Sequence, residues 1–286
     1  TDRGQVDKMG QQICVPADCY GDVLVIDEFN QEEPGAFQQK YYARNVGNVQ
    51  VGWKGEDAQQ EELGLVERVQ LEPSQLAAVR QAALDVEANA YEISEDVYGQ
   101  TEPSVAAESS ADEYDLEELD HGNFDESTNI DNKWLPMQPG TRWVFEGITI
   151  EQGELFNHLL SFTVTDLIKE IDGIPSVVAY IEDYSNGELV EAEIAFYAQD
   201  NDGNVWYLGE YPEEYADGQF VGAPTWIAGK QDAVGGIKMP ADPQLGADSV
   251  SQGFAPVPQW SDRGQVYRMG EHSCVPFECF EEVMIM

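Results

Sequence analysis

Acidic side chains are the residues of this sequence whose spacing could do chemistry. The segment QDNDGN places Asp200, Asp202 and Asn204 at alternate positions around a glycine, and carboxylate and amide oxygens are the ligands that Ca²⁺ prefers. An EF-hand loop is excluded, because Ala198 stands where the first ligand of such a loop would lie. The segment therefore predicts either a plain hairpin turn or a weak, partial calcium site.

A second acidic group, between positions 112 and 120, could also collect cations. It comprises Asp112, Glu113, Asp115, Glu117, Glu118 and Asp120. Charges this dense along one segment favour a diffuse atmosphere of counterions over a cage of ligands. Ca²⁺ is therefore the cofactor candidate in both places, and no segment predicts an organic cofactor.

The sequence offers little support for catalysis. Its three histidines, His121, His158 and His272, accompany no Ser or Cys nucleophile in a recognisable setting, and the common hydrolase and nucleotide-binding motifs are missing. Among 55 acidic residues, carboxylate pairs of the kind that glycosidases use must arise by chance. We assign no catalytic residue and predict that the protein is not an enzyme.

Four aromatic residues are candidates for a binding pocket. Trp143, Trp206, Tyr207 and Trp226 could line a site for a carbohydrate or a lipid in a curved sheet. Aromatic side chains that alternate along strands belong to the core more often than to a site, so burial in the core is the favoured interpretation.

The four cysteines form two pairs with the same spacing, Cys14 with Cys19 in CVPADC and Cys274 with Cys279 in CVPFEC. Each loop turns at a proline and could close a short disulfide, which would indicate an extracellular or periplasmic protein. Free buried thiols and a metal site are the alternatives. The metal site is the least favoured, because zinc pairs usually have CxxC spacing and no histidine pair is near.

The net charge excludes two classes of partner. Lys and Arg number 14 against 55 acids, a formal charge of −41, which repels nucleic acid and anionic membranes. Such a surface suits a protein that lives in salt, one that gathers divalent cations, or a soluble extracellular protein. No run approaches the roughly 18 apolar residues of a membrane span. The lack of an initiator Met and of a signal peptide predicts a processed chain or a piece of a longer one.

The chain contains one long internal repeat. DRGQV occurs at residues 2–6 and again at 262–266, and aligning residues 1–26 with 261–286 without gaps gives 12 identities in 26 positions. The period of 260 residues is far longer than the roughly 20 to 50 residues of solenoid units, so each unit should be a whole domain.

Two segments between the copies differ in composition from the rest. Residues 73–98 predict a helix with a proline in its first turn. Its narrow apolar face comprises Leu76, Val79, Ala83, Val86, Ala90 and Ile93. Docking of this face on a sheet is favoured over a coiled coil, because the pattern spans under three heptads. Residues 99–128 then form an acidic linker, within a stretch from 81 to 132 that holds 16 acids and no Lys or Arg.

From residue 134 onwards the pattern is that of strands joined by tight turns. Asp172-Gly173, Asn186-Gly187, Asp202-Gly203 and Asp217-Gly218 are dipeptides that two-residue hairpin loops favour. Residues 191–196 alternate between polar and apolar, as in a strand with one face in water. We predict a mainly β protein, an antiparallel meander forming a strongly curved sheet or barrel, with one amphipathic helix and an acidic linker.

Four segments resemble parts of a family of uncharacterised bacterial secreted proteins and lipoproteins. They are NIDNKWLPMQPGTRWVFEG (129–147), FYAQDNDGNVWYLGE (196–210), MPADPQLG (239–246) and KYYARNVGNV (40–49). The resemblance covers about two thirds of the chain and implies a β-rich fold, with no activity to carry over. The KYYA segment closes the domain in that family but comes first here, and the cysteine pairs and the acidic linker depart from the family.

The repeat and the motif order together predict a chain cut out of phase with its units. Residues 1–72 would be the C-terminal half of one unit, and residues 129–286 the opening and middle of the next. The last strand would then expose an unpaired edge, and the interface residues at the two copies of this edge would be Val23, Val25, Val283 and Ile285. A tandem array, closure within the chain that leaves 261–286 redundant, and strand donation between chains are the three ways to complete it.

We therefore predict a non-enzymatic structural or adhesive repeat protein, extracellular or at the cell surface. Its partners would be copies of itself, in a filament or surface array, and divalent cations. The alternative is a secreted β-barrel binding module for a small ligand or glycan, and a hydrolase is less favoured.

Overall fold

The computed structural model describes residues 12–15, 18–21, 26–30, 35–56, 58–99 and 116–285. Up to residue 30, and at residues 271, 272, 274, 281 and 282, only the backbone is described. Much of the predicted acidic linker, including Asp112, Glu113 and Asp115, lies outside the described residues, as do Val23 and Val25.

Most of the described chain is β-strand. The strands are β1 (Gln12–Val15), β2 (Asp18–Gly21), β3 (Ile26–Asn30), β4 (Ala36–Ala43), β5 (Gly47–Gly55), β6 (Gln59–Gln70), β7 (Thr141–Glu151), β8 (Glu154–Ile171), β9 (Ile174–Ser185), β10 (Glu188–Gln199), β11 (Val205–Ala216), β12 (Gln219–Gly222), β13 (Trp226–Ile227), β14 (Val234–Met239), β15 (Val250–Ser251), β16 (Gly253–Phe254), β17 (Asp262–Gln265), β18 (Arg268–Cys274) and β19 (Cys279–Ile285).

The strands pair antiparallel in one large sheet. Neighbours follow chain order from β3 to β11. Strand β11 also pairs with β14, β14 with β16, β15 with β17, and β17 with β3. The prediction of a mainly β fold built on an antiparallel sheet is confirmed.

Three of the predicted two-residue turns have the expected geometry. Both central residues have positive φ at Asp172-Gly173, Asn186-Gly187 and Asp217-Gly218, as in the turns whose twist matches that of the flanking strands. At Asp202-Gly203 only the glycine has positive φ, and the turn is longer because β10 ends at Gln199 and β11 begins at Val205.

The single α-helix among the described residues, α1 (Pro73–Ile93), lies against β8, β10 and β11. Gln75 stabilises its first turn, since Oε1 accepts a 3.1 Å hydrogen bond from the Glu72 backbone N–H. The predicted apolar face is confirmed at Val79, Ala83, Val86 and Ala90, which are buried, whereas Ile93 is exposed. No helix in the described part of the chain is long and apolar enough to cross a membrane.

Strand β10 faces α1 and is buried on both sides from Ala192 to Ala198. Ile194 and Phe196 of β10 pack in one core with the buried residues of α1, and Ala195 and Tyr197 pack in a second core on the opposite face. The predicted water-exposed face of residues 191–196 is therefore wrong, and Glu193 is only 8% exposed. Glu193 shares its face of β10 with Ala195 and Tyr197, which pack in the second core, so this face is covered by protein.

The last strand is paired within the chain, so the edge that the sequence predicted to need completion is covered. Strand β19 pairs with β18 and, through Met284 opposite Tyr42, with β4. Val283 and Ile285 are fully buried. In the alternative of closure within the chain, residues 261–286 were to be redundant, but β17, β18 and β19 belong to the large sheet, whereas β1 and β2 form a separate two-stranded sheet.

Candidate functional site

Residues of the large sheet line a cavity of about 380 Å³. Strands β4 to β11, β14 and β17 contribute side chains to its wall, together with the loop residues Leu135, Pro136, Met137 and Trp260. Its volume lies within the range of small-molecule sites, about 300–1,000 Å³. The lining combines aromatic rings with charged and amide groups, which is the composition of a site that orients a ligand.

Aromatic rings make one continuous wall of the cavity. Phe162 lies between Trp143 and Tyr197, with ring centroids 5.9 and 6.2 Å away. Tyr197 stacks on Tyr207 at 5.0 Å, and Tyr207 meets Trp260 edge to face at 5.6 Å. Rings in such contact hold one another in place, so the wall is preorganised.

A carboxyl pair lies at the Tyr207 end of this wall. Glu193 and Glu210 are hydrogen-bonded to each other through their side chains. The Tyr207 hydroxyl lies 3.2 Å from Glu193 Oε1 and also donates to Glu210 Oε2. Glu210 Oε1 accepts a 3.0 Å bond from Trp226 Nε1. We call Glu193, Tyr207 and Glu210 the inner cluster.

The inner cluster holds a proton. Burial, and then the charges of Glu210 and Glu191, raise the pKa of Glu193 well above its ordinary value. Burial also raises the pKa of Glu210, while bonds from Tyr207 and Trp226 lower it. Two carboxyl groups in contact cannot both ionise at low cost, so the pair keeps one proton between them.

A bulge in β11 makes the inner cluster possible. Residues 207 and 210 are three apart and would point to opposite faces of a regular strand. The register between β10 and β11 shifts after Ala195, which faces Glu210, so that Tyr197 faces Tyr207. Gly209 takes up the extra residue with φ +133°, and a Cβ there would lie 2.5 Å from the Trp226 carbonyl oxygen.

His158 forms a second buried charged group beside the cavity. Its Nδ1 lies 2.9 Å from Glu61 Oε1, and its Nε2 lies 2.7 Å from Asp183 Oδ1. Burial alone would lower the pKa of His158, but the two carboxylates outweigh it and raise the pKa to about 10. The imidazolium therefore fixes Glu61 and Asp183, which both line the cavity.

Two of the four predicted pocket aromatics line the cavity. Trp143 and Tyr207 do so, and Trp226 lies just behind it in the same core, stacked on Trp260 at 4.8 Å. Trp206 points to the opposite face and packs in the core beneath α1. The favoured interpretation, burial in the core, holds for all four, since each is at most 5% exposed.

The predicted calcium residues of the 200–204 turn bond within the protein. Asp200 Oδ1 accepts from the Asn204 backbone N–H, and its Oδ2 accepts from Asn204 Nδ2 and Trp206 Nε1, all at 2.8 Å. Asp202 Oδ2 accepts from Asn123 at 2.9 Å. These hydrogen bonds hold the turn against the start of β11. Calcium binding there stays a prediction.

The second acidic group is only partly described. Glu117 accepts from the backbone N–H of Ser251 at 2.7 Å, Asp120 accepts from that of Gly122 at 2.9 Å, and Glu118 is exposed. Among the described residues, no three His, Cys, Asp or Glu side chains are grouped to hold a metal ion.

Both cysteine pairs face each other across hairpins. Cys14 lies opposite Cys19, and Cys274 opposite Cys279. Cys279 is disulfide-bonded, while the side chains of the other three lie outside the described residues. The pairing scheme of the four therefore stays a prediction. Of the other two histidines, His121 Nε2 lies 2.7 Å from Asp172 Oδ2 at the surface, and the side chain of His272 is not among those described.

The inner cluster and the His158 group were not predicted from the sequence. A usable signal exists for the first, since a glycine inside the strand segment WYLGEY favours a bulge, which would place Tyr207 and Glu210 on one face. For the second there is none, because Glu61 on β6 is far in sequence from His158 and Asp183 on the hairpin of β8 and β9.

Comparison with protein-family models finds no match, and comparisons with curated proteins and with solved structures find none either. The resemblance to the bacterial secreted family therefore stays a prediction.

Proposed function

We propose that the chain is a binding module whose interior cavity takes a small polyhydroxylated ligand, the size of a mono- or disaccharide. In this proposal the large antiparallel sheet curves around the cavity as a barrel. The observation that carries it is the inner cluster beside the aromatic wall, because sugar rings stack on aromatic faces while carboxyl groups bond their hydroxyls.

The polar lining favours a neutral ligand with many hydroxyl groups. Glu61 and Asp183 offer acceptors, Lys40 and Lys238 offer donors, and Gln38 and Asn48 offer both. A lipid chain is disfavoured, since it would strip water from these groups without replacing its hydrogen bonds.

Titration of the protein with a panel of neutral mono- and disaccharides, followed by calorimetry and tryptophan fluorescence, tests this function. We expect saturable binding to at least one member, weakened at least about tenfold by Tyr207→Phe or Glu193→Gln. Tyr211→Phe is the matched control, because Tyr211 lies on the same strand in the core beneath α1. Binding unaffected by Tyr207→Phe, or no binding across the panel, contradicts the proposal.

A hydrolase is less well supported. Glycosidases need carboxyl groups about 5–9.5 Å apart, whereas Glu193 and Glu210 are in hydrogen-bond contact. We accordingly keep the proposal of a non-enzymatic protein, and sugar release from a disaccharide panel would overturn it.

The structural or adhesive function predicted from the sequence stays a second proposal, with an extracellular location, disulfide-bonded hairpins and stabilisation by Ca²⁺. The repeat at the two ends of the chain favours it, since the second copy belongs to the large sheet while β1 and β2 of the first copy form a separate sheet. Calorimetric titration with Ca²⁺ tests the ion: neither heat nor a change in melting temperature would contradict it.

A further inference from the structure

The C-terminal copy of the repeat occupies the place that the N-terminal copy would take by sequence. Strand β3 pairs with β4 through Ile26 opposite Lys40 and Asp27 opposite Gln39. Two residues before Ile26, the same register would bring Leu24 opposite Tyr42. Met284, the counterpart of Leu24 in the second copy of the repeat, lies opposite Tyr42 instead. The second copy therefore keeps the register that the first copy would have.

The two hairpins of the repeat also have the same internal register. Ile13 faces Tyr20 and Cys14 faces Cys19 in the first, and Ser273 faces Phe280 and Cys274 faces Cys279 in the second. Subtracting 260 from the second set gives the first. The N-terminal hairpin is therefore a second copy of the element that the large sheet incorporates.

The N-terminal copy carries the apolar residues that this position requires. We call the place beside β3, β4 and β15 that residues 262–285 fill the repeat slot. The buried apolar residues of its occupant are Val266, Val275, Phe280, Val283, Met284 and Ile285. Their counterparts are Val6, Val15, Tyr20, Val23, Leu24 and Val25. All six are apolar or aromatic, whereas the exposed Phe277 corresponds to Ala17.

A buried polar anchor is repeated as well. Arg263 is 6% exposed and donates to Ser249, through Nε to Oγ at 2.9 Å and through Nη2 to the carbonyl oxygen at 2.6 Å. Its counterpart is Arg3. Residues 26–285 alone already make 260 residues, one full period, so one of the two copies is always in excess.

We propose that the repeat slot is an exchange site between copies of this chain. In the monomer it holds residues 262–285 of the same chain, and in an assembly it holds the same residues of a second chain. At the end of the assembly one chain receives no C-terminal copy from a neighbour, and its own N-terminal copy fills its repeat slot. Each chain then gives its C-terminal copy to the next, which makes a linear, heterologous assembly. This goes beyond the ligand-binding function and does not depend on it.

Interchangeability of the two copies is tested with matched aspartate substitutions in the full chain. Val283→Asp places a charge in the slot and should expel the C-terminal copy, which the N-terminal copy then replaces. We expect Val283→Asp to lower the melting temperature by no more than about 5 °C, Val23→Asp to have no effect, and the double variant to lose its cooperative transition. If Val283→Asp alone is as damaging as the double variant, the copies are not interchangeable.

Exchange between chains is tested with the facing pair Tyr42 and Met284. Chains carrying Tyr42→Cys are mixed with chains carrying Met284→Cys, partly unfolded in urea, refolded at high concentration and oxidised. We expect disulfide-linked dimers on a non-reducing gel well above a wild-type mixture, which reports the background from native cysteines. If a chain with both substitutions links within itself while the mixture stays at background, the exchange does not occur.

Discussion

Strand β11 carries a cluster of tyrosine and glutamate on each of its faces, and the two clusters differ in how their carboxylates are satisfied. On the face towards α1, Glu213 is 2% exposed and accepts three hydrogen bonds, from Tyr211 at 3.1 Å, Tyr215 at 2.6 Å and Asn89 at 2.9 Å. We call this the outer cluster.

The inner cluster has the same residue types but too few donors. Two carboxyl groups, Glu193 and Glu210, share the Tyr207 hydroxyl and one proton, and Glu210 also accepts from the Trp226 N–H. They also line a cavity, which the outer cluster does not. A buried carboxylate whose partners are all in the protein stabilises the fold, whereas one left short of donors beside a cavity has bonding capacity for a ligand.

The largest effect should come from Gly209, which accommodates the bulge that places Tyr207 and Glu210 on one face of β11. Gly209→Ala forces φ +133° on a residue with a Cβ and drives that Cβ to 2.5 Å from the Trp226 oxygen, so we expect a loss of about 4 kcal/mol in unfolding free energy. Gly218→Ala is the control, because it also has positive φ but open space around the Cβ, and should cost about 1 kcal/mol. If urea unfolding gives the two variants equal losses in unfolding free energy, the bulge does not require a glycine at position 209.

The next largest effect should come from the outer cluster. Glu213→Ala leaves three buried donors without an acceptor, and we expect it to lower the unfolding free energy by about 3 kcal/mol. Glu193→Gln removes a strained carboxyl group from the inner cluster and should leave stability at pH 7 unchanged or raise it by about 1 kcal/mol. Urea unfolding of the two variants side by side checks the comparison, which fails if Glu193→Gln is the more destabilising.

His158 should make stability depend on alkaline pH. Because its folded pKa is raised from 6.5 to about 10, the stabilisation is complete below pH 6.5 and is lost as the pH rises towards 10. Allowing for solvent screening, we expect a loss of about 2 kcal/mol. His158→Gln should abolish this part of the pH dependence, and an unchanged slope between pH 7 and 10 in that variant would contradict the assignment.

Features set by neighbouring residues were predictable from the sequence. The turn at Asp172-Gly173 and the buried face of α1 depend on backbone preference and on a period of 3.6 residues. The direction of β10 was not predictable, because the alternation from Glu191 to Phe196 fits a solvent-facing strand as well as one that faces a cavity. The packing of both faces of β10 against residues distant in sequence decides between them.

The site was missed for the same reason. Residues that line the cavity come from strands as distant as β4 and β17, so no local pattern links them. Sequence reasoning also judged the two repeat copies as ends of different units. The register of Met284 opposite Tyr42 shows instead that one copy completes the sheet of its own chain.

The smallest effect should be a fall in unfolding free energy between pH 4.5 and 7, which we call the acidic limb and which comes from the inner cluster and its neighbour Glu191. Burial, with the charges of Glu210, Asp183 and Glu214, raises the pKa of Glu191 from 4.5 to about 7, and the pKa of Glu193 is raised as well. A carboxyl group with a raised folded pKa stabilises the protein below its unfolded pKa and loses that contribution as the pH rises through the folded pKa. Stability should therefore fall by about 1 kcal/mol between pH 4.5 and 7.

Unfolding free energies of Glu193→Gln and Glu213→Gln across that range separate the clusters. Glu193→Gln should flatten the limb, because it removes one of the two groups that share the proton and the charge that its neighbours Glu191 and Glu210 would meet. Glu213→Gln should lower the whole curve without changing its slope, since its donors lie on the other face of β11. Parallel curves for wild type and Glu193→Gln would mean that the inner cluster does not hold the proton, and with it the physical difference between the two faces would be lost.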